Sequence, residues 1–132
     1  MILPKGATVA VVDGEKLVMF RNTGEHEPQL TVLPVEAIDG AGSGSKGHQS
    51  SSANPDESTR AEDGYAAGVA AMLNGQALSG AFDHLLVIAA PKTLGELRKH
   101  WGKPLQAKLV GEIAKDLTGQ SADQIVTAID KA

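Results

Sequence analysis

Cysteine is absent from the sequence. That excludes a disulfide framework, a thiolate nucleophile and any Cys-ligated metal site. Aromatic side chains are nearly absent as well, confined to Phe20, Phe82, Tyr65 and Trp101. A core with so few rings must be filled by Ala, Val, Leu and Ile, as in layered α/β folds. No run approaches the ~18 apolar residues that a membrane span needs. The opening Met1-Ile2-Leu3-Pro4-Lys5-Gly6 lacks a basic stretch followed by an apolar one, the pattern of a secretory signal. The expectation is a cytoplasmic chain with no membrane partner.

What is present is one domain's length, 132 residues, with 42% apolar content. Net charge is −4, unevenly spread. Residues 1–91 carry 5 Lys/Arg against 11 Asp/Glu, whereas residues 92–132 carry 7 against 5. Between Lys92 and Lys108 five cations face a single acid, Glu96. A local basic surface of this kind can meet phosphate, and it can equally be a solvated helix face.

The elements follow from pattern. Ala7–Val12 reads as a largely buried strand, Asp13-Gly14 as a tight hairpin turn and Lys16–Arg21 as the return strand. Asn22–Pro28 is polar turn material. Gln29–Ile38 reads as a third strand, in which Pro34 removes a backbone donor and demands an edge or a bulge. Asp39–Arg60 holds 4 Gly, 6 Ser and no apolar residue large enough to anchor it, so a flexible loop over 39–60 is expected within a single domain, 1–132. Thr59-x-x-Glu62 is a capping box that can open a helix through about Leu78, with Gly80 at its exit. Leu85–Ala90 is a continuous apolar run, as in strands buried on both faces. Thr93-x-x-Glu96 and Ser121-x-x-Gln124 are two further capping boxes, the former opening a helix to about Lys99 or His100, with Gly102 and Pro104 as stop signals.

One segment is ambiguous. Leu105, Leu109, Ile113 and Leu117 recur every four residues, a helical period, while a strand over Lys108–Lys115 competes. With a strand there, the order is β-β-β-α-β-α-β-α, giving an α/β fold with a mixed five-stranded sheet covered by helices. That order occurs in ribonuclease H-like folds, and fold order does not establish function.

Chemical motifs are few. Gly42-Ser-Gly44-Ser-Lys-Gly47 matches the dinucleotide fingerprint as a string, but more loop follows where a helix is required, so no cofactor is expected. His26, His48, His84 and His100 have no paired-ligand spacing, and no metal site is expected. A ribonuclease H-type nuclease needs several carboxylates converging on two metals. Asp13 ends the first strand, where one could belong, yet the fourth strand ends in Ala89-Ala90-Pro91. No Ser/His/Asp set is discernible.

Phe82-Asp-His-Leu-Leu-Val-Ile-Ala-Ala-Pro-Lys-Thr-Leu-Gly-Glu-Leu-Arg98 and Gly111-Glu-Ile-Ala-Lys-Asp-Leu-Thr118, together with Val12–Lys16 and Leu17–Asn22, resemble the bacterial host attachment protein family. That family is similar to the middle domain of archaeal and eukaryotic class-1 peptide release factors. The resemblance covers nearly all of the chain outside 39–60 and implies that Leu109–Lys115 is a strand feeding Thr118–Ser121 and a last helix. In release factors the loop before the first long helix carries a Gly-Gly-Gln motif, where backbone groups at Gln help water cleave the peptidyl-tRNA ester. Here Lys46-Gly47-His48-Gln49-Ser50 stands in a comparable place. His48 replaces the second Gly, which in the motif allows positive φ and close backbone approach.

Gly47, His48 and Gln49 are therefore weak catalytic candidates, and the leading expectation is a non-catalytic, release-factor-like binding module that contacts ribosome or tRNA. Its nucleic-acid-binding candidates are Lys92, Arg98, Lys99 and Lys103, with Trp101 as a stacking plane if one helix continues through it. The alternatives are an RNA-directed hydrolase, either peptidyl-tRNA esterase or nuclease, and a factor indirectly required for attachment to host cells. No DNA partner is expected, and the residues specify no oligomeric state.

Overall fold

The computed structural model describes residues 3–24, 29–34 and 55–132, with the side chains of the first helix described from residue 64. Residues 39–54 of the expected loop, including Gly47, His48 and Gln49, lie outside the described residues, as does the Gly42–Gly47 string. The elements are β1 (Thr8–Val12), β2 (Leu17–Asn22), β3 (Leu30–Leu33), α1 (Pro55–Ser79), β4 (Leu85–Ala89), α2 (Pro91–Arg98), α3 (Lys103–Lys108), β5 (Leu109–Ala114) and α4 (Ala122–Lys131). They form a mixed five-stranded sheet in the order β3-β2-β1-β4-β5. β1 pairs antiparallel with β2 and β2 with β3, while β4 is parallel to β1 and β5 parallel to β4. The expected meander and the αβ units that follow it are both present.

Helices on both sides explain the continuous apolar runs of β1 and β4, which are buried at every position. Alternate residues serve two cores. Ala10, Val12, Leu85, Val87 and Ala89 meet Leu73 of α1, Leu94 and Leu97 of α2 and Leu105 of α3. Val9, Val11, Leu86 and Ile88 meet Ile125 and Ile129 of α4. The strand period of two supplies both faces from one sequence run.

β5 resolves the ambiguous segment. Leu109 pairs with Leu85, but Leu86 pairs with Gly111, so Val110 is an extra residue bulged from the edge strand and partly exposed. The bulge places Leu109 against the three-helix core and Ile113 in the opposite one. The four-residue spacing that imitates a helix thus comes from a short helix, a strand with a bulge and the turn after it.

Other boundaries differ from the sequence reading. α1 begins at Pro55, so residues 55–60 are helical and Thr59 lies inside the helix rather than capping it. α2 begins at Pro91 with Ala90 as N-cap and no side-chain cap, because a proline at the first position already has a helical φ. Only Ser121–Gln124 forms its capping box, with both reciprocal hydrogen bonds. An additional helix, α3, intervenes before β5. The hairpin turn is tight, with Val12 paired to Leu17 and Asp13 N–H donating to the Lys16 carbonyl so that the chain reverses at Gly14-Glu15, but Gly14 is not among the positive-φ glycines. The Asp13 side chain builds this loop, accepting hydrogen bonds from the backbone N–H groups of Glu15 and Lys16. Gly80 does behave as expected. At φ +79° it ends α1, with Ala81 N–H donating to Gln76 and Gly80 N–H to Ala77, a Schellman closure.

Asn22 reads as turn material but is 2% exposed. Its amide donates to the carbonyls of Leu3 and Pro4, and its oxygen accepts from the N–H groups of Gly24 and Gln29. One side chain therefore joins the entry segment, the end of β2 and the start of β3. Asn22→Ala should lower stability by about 2–4 kcal/mol, since several buried polar groups lose their partner. Urea unfolding would show this as a lower midpoint at an unchanged slope, and a loss below about 1 kcal/mol would contradict it.

Candidate functional site

The cationic candidates lie on α2, α3 and the linker between them. α2 stops at Arg98 and Lys99 is its C-cap, so the helix does not continue through Trp101. Lys103 opens the separate helix α3. Lys92, Lys99 and Lys103 therefore do not share one helix face. Lys92 stands at the start of α2, roughly 10 Å of helix axis from Lys99. Arg98, Lys99 and Lys103 cluster around the linker, all exposed.

Two sets of side-chain contacts fix that linker. Asn74 of α1 donates to the carbonyl of His100 at 2.8 Å and accepts from the N–H of Gly102 at 2.9 Å. A Cβ on Gly102 would come within 3.3 Å of the Asn74 oxygen, so glycine permits this approach. Glu112 of β5 makes the second set. Its Oε2 accepts from the Trp101 indole N–H at 3.1 Å, and its Oε1 accepts from Arg98 Nε at 2.9 Å and lies 2.8 Å from Nη2 in an ion pair. Trp101 is half-buried and packs against the three-helix core. It is a structural anchor here, and the continuous helix on which its reading as a stacking plane depended is absent.

Glu112 faces this side of the sheet because of the bulge at Val110. Simple alternation from Leu109 would send it to the opposite face. Burial pushes its carboxyl pKa up, but the bonds from Arg98 and Trp101 and the Arg98 charge push further down, and the net direction is down. The same hydrogen bond and charge raise the pKa of Arg98. Lys99 pairs with Glu96 one turn back at 3.2 Å, and His100 Nε2 lies 3.6 Å from the other oxygen of Glu96. Three cations, Arg98, Lys99 and Lys103, thus share this surface with two carboxylates, Glu96 and Glu112.

The other polar cluster lies at the carboxyl ends of β1 and β5. The Thr118 hydroxyl lies 2.9 Å from Asp13 Oδ2 and 2.7 Å from Asp116 Oδ1. Burial raises the Asp13 pKa, while the Glu15 and Lys16 N–H groups, Thr118 and the Lys16 charge lower it, with a net decrease. Burial, then the Asp13 charge, raise the pKa of Tyr65 on α1. Asp13 is committed to the loop it builds and to the β5–α4 connection.

The sequence identifies the cations but not the groups that place them. Glu112, Asn74 and Lys108 are all absent from the candidate residues. Lys108, which contributes to the basic run, donates to the carbonyls of Ala77 and Phe82 and closes the end of α1. The one available signal was an isolated acid in an edge-strand sequence, since a charge turned inward on an edge strand needs a partner.

The lowered pKa of Glu112 fixes a sign. Its contribution to stability is complete above the ordinary glutamate range and is lost as pH falls through the depressed folded-state value. Glu112→Gln should therefore be less stable than the native chain by about 1–2 kcal/mol at pH 7, allowing for partial solvent screening. The difference should narrow as pH falls below the ordinary glutamate value of about 4.3. Parallel urea titrations of both proteins at several pH values would test this, and a gap independent of pH would contradict the ion pair.

No helix among the described residues is long and apolar enough to cross a membrane. No curated protein matches the chain. A family model described as bacterial archaeo-eukaryotic release factor family 12 matches residues 6–129, from just before β1 into α4. With that match spanning almost the entire sheet-and-helix framework, the chain belongs to bacterial archaeo-eukaryotic release factor family 12.

Proposed function

We propose that this domain is a cytoplasmic, non-catalytic, release-factor-like binding module that contacts the phosphates of tRNA or of ribosomal RNA through the α2–α3 ledge. The observation that carries the reading is the placement of Arg98, Lys99 and Lys103 around a linker pinned by Asn74 and Glu112. With the backbone that carries them already fixed, only the cation side chains have ordering left to undergo when they meet phosphates. Membership of a release factor family favours a translation-related RNA as the source of those phosphates. The replacement of the second Gly of the Gly-Gly-Gln motif by His48 favours binding without ester hydrolysis.

Neutralising one phosphate each, Arg98, Lys99 and Lys103 should give a slope of log K against log[salt] of roughly −2 to −3. Lys99→Ala/Lys103→Ala should reduce its magnitude by about 1.4–1.8, two contacts' worth. The measurement is titration of bulk tRNA and of purified ribosomes at several salt concentrations. Absence of binding at about 50 mM salt, or an unchanged slope in the double variant, would overturn the reading. Release of the peptide from peptidyl-tRNA by the isolated protein would instead favour the esterase.

A further inference from the structure

We propose that Glu112 is a positioning residue that presents Arg98 as a two-pronged ligand for an RNA backbone phosphate. This rests on the reading of the α2–α3 ledge as an RNA-contacting surface. A guanidinium carries five N–H donors in a rigid plane, and it can face two anions along different edges. Glu112 takes one edge, its Oε1 accepting a hydrogen bond from Nε at 2.9 Å and lying 2.8 Å from Nη2 in the ion pair. Nη1 and the second Nη2 hydrogen remain at the end of the side chain, which is 56% exposed. Among the described residues Glu112 is the one partner of this guanidinium. The spacing of the remaining donors suits two oxygens of one phosphate.

Glu112 can serve this purpose because it is itself held. Its side chain is 18% exposed, its strand position is set by the bulge, and its second oxygen receives the Trp101 indole N–H. Two elements thus define one guanidinium orientation before any phosphate arrives. Lys99 provides the contrast. Its ammonium pairs with Glu96 on the same exposed helix, and a point charge on a flexible stem needs no preset direction.

Charge alone gives the opposite expectation, since a carboxylate next to a phosphate site should repel the phosphate. Three variants separate the two accounts, each titrated with bulk tRNA at several salt concentrations. Glu112→Asp keeps the charge but shortens the arm. Glu112→Gln removes the charge and keeps one acceptor. Glu96→Gln removes the same charge from the same surface without touching Arg98.

Positioning predicts weaker binding for both Glu112 variants, on the order of tenfold, as for loss of a charge-assisted hydrogen bond. Their salt slope should shrink by about 0.7–0.9, one phosphate contact. Glu96→Gln should bind more tightly than the native chain. Thermal unfolding and the far-UV circular dichroism of each variant establish that the fold persists, and Glu112→Asp carries the test if Glu112→Gln does not fold. Glu112→Asp binding like the native chain, or Glu112→Gln binding more tightly, overturns the positioning role while leaving the RNA-contacting ledge intact. Failure of the native chain to bind at about 50 mM salt overturns both.

Discussion

One extra residue in β5 fixes the rest of the ledge. Because Val110 bulges from the edge strand, every side chain after it changes face relative to Leu109. Ile113 then reaches the core beneath α4, and Glu112 turns toward α2 and the linker. An edge strand also risks pairing with another chain, and an inward carboxylate on a bulged strand opposes that. The same residue that discourages edge pairing thus supplies the anchor for Arg98 and Trp101.

The remainder of the fold supports that arrangement. The two central strands, β1 and β4, are buried on both faces, which gives the sheet a rigid middle against which α1 and α2 set their height. α1 contributes Asn74 to the linker and its carboxyl end to Lys108, so the segment between α2 and β5 is tied at three points. Outside these ties lie the exposed Arg98, Lys99 and Lys103, on a backbone that cannot easily rearrange. At the far end of the sheet, Asp13, Asp116 and Thr118 give the strand termini an acidic character, opposite in sign to the ledge.

The fold was largely legible because its signals are local. Continuous apolar runs mark β1 and β4, Ser121–Gln124 caps α4 and Gly80 ends α1. What the sequence obscured depends on contacts between elements. Leu109 and Ile113 look like one helical face because a bulge, invisible in a list of residues, sends them to separate cores. Asn22 looks like a turn residue because its partners at Leu3 and Pro4 are 19 and 18 positions away. The cations of the ledge could be found from charge density, whereas Glu112 could not, since it lies 14 residues from Arg98 on another element. The break between α2 and α3 was signalled by Gly102 and Pro104, and it separates Lys103 from the helix that carries Lys92.

Trp101 is the sole tryptophan, so its indole N–H gives a single resonance that reports on Glu112 directly. An NMR pH titration of that proton, with the Arg98 Nε–H followed in parallel, is the most direct test of the account. A Glu112 that holds both donors predicts that the two signals shift together, with a midpoint below the usual glutamate value of about 4.3. Both should also lose their dispersion in Glu112→Gln. Signals that titrate independently, or that are indifferent to the substitution, would show that Glu112 does not organise the ledge.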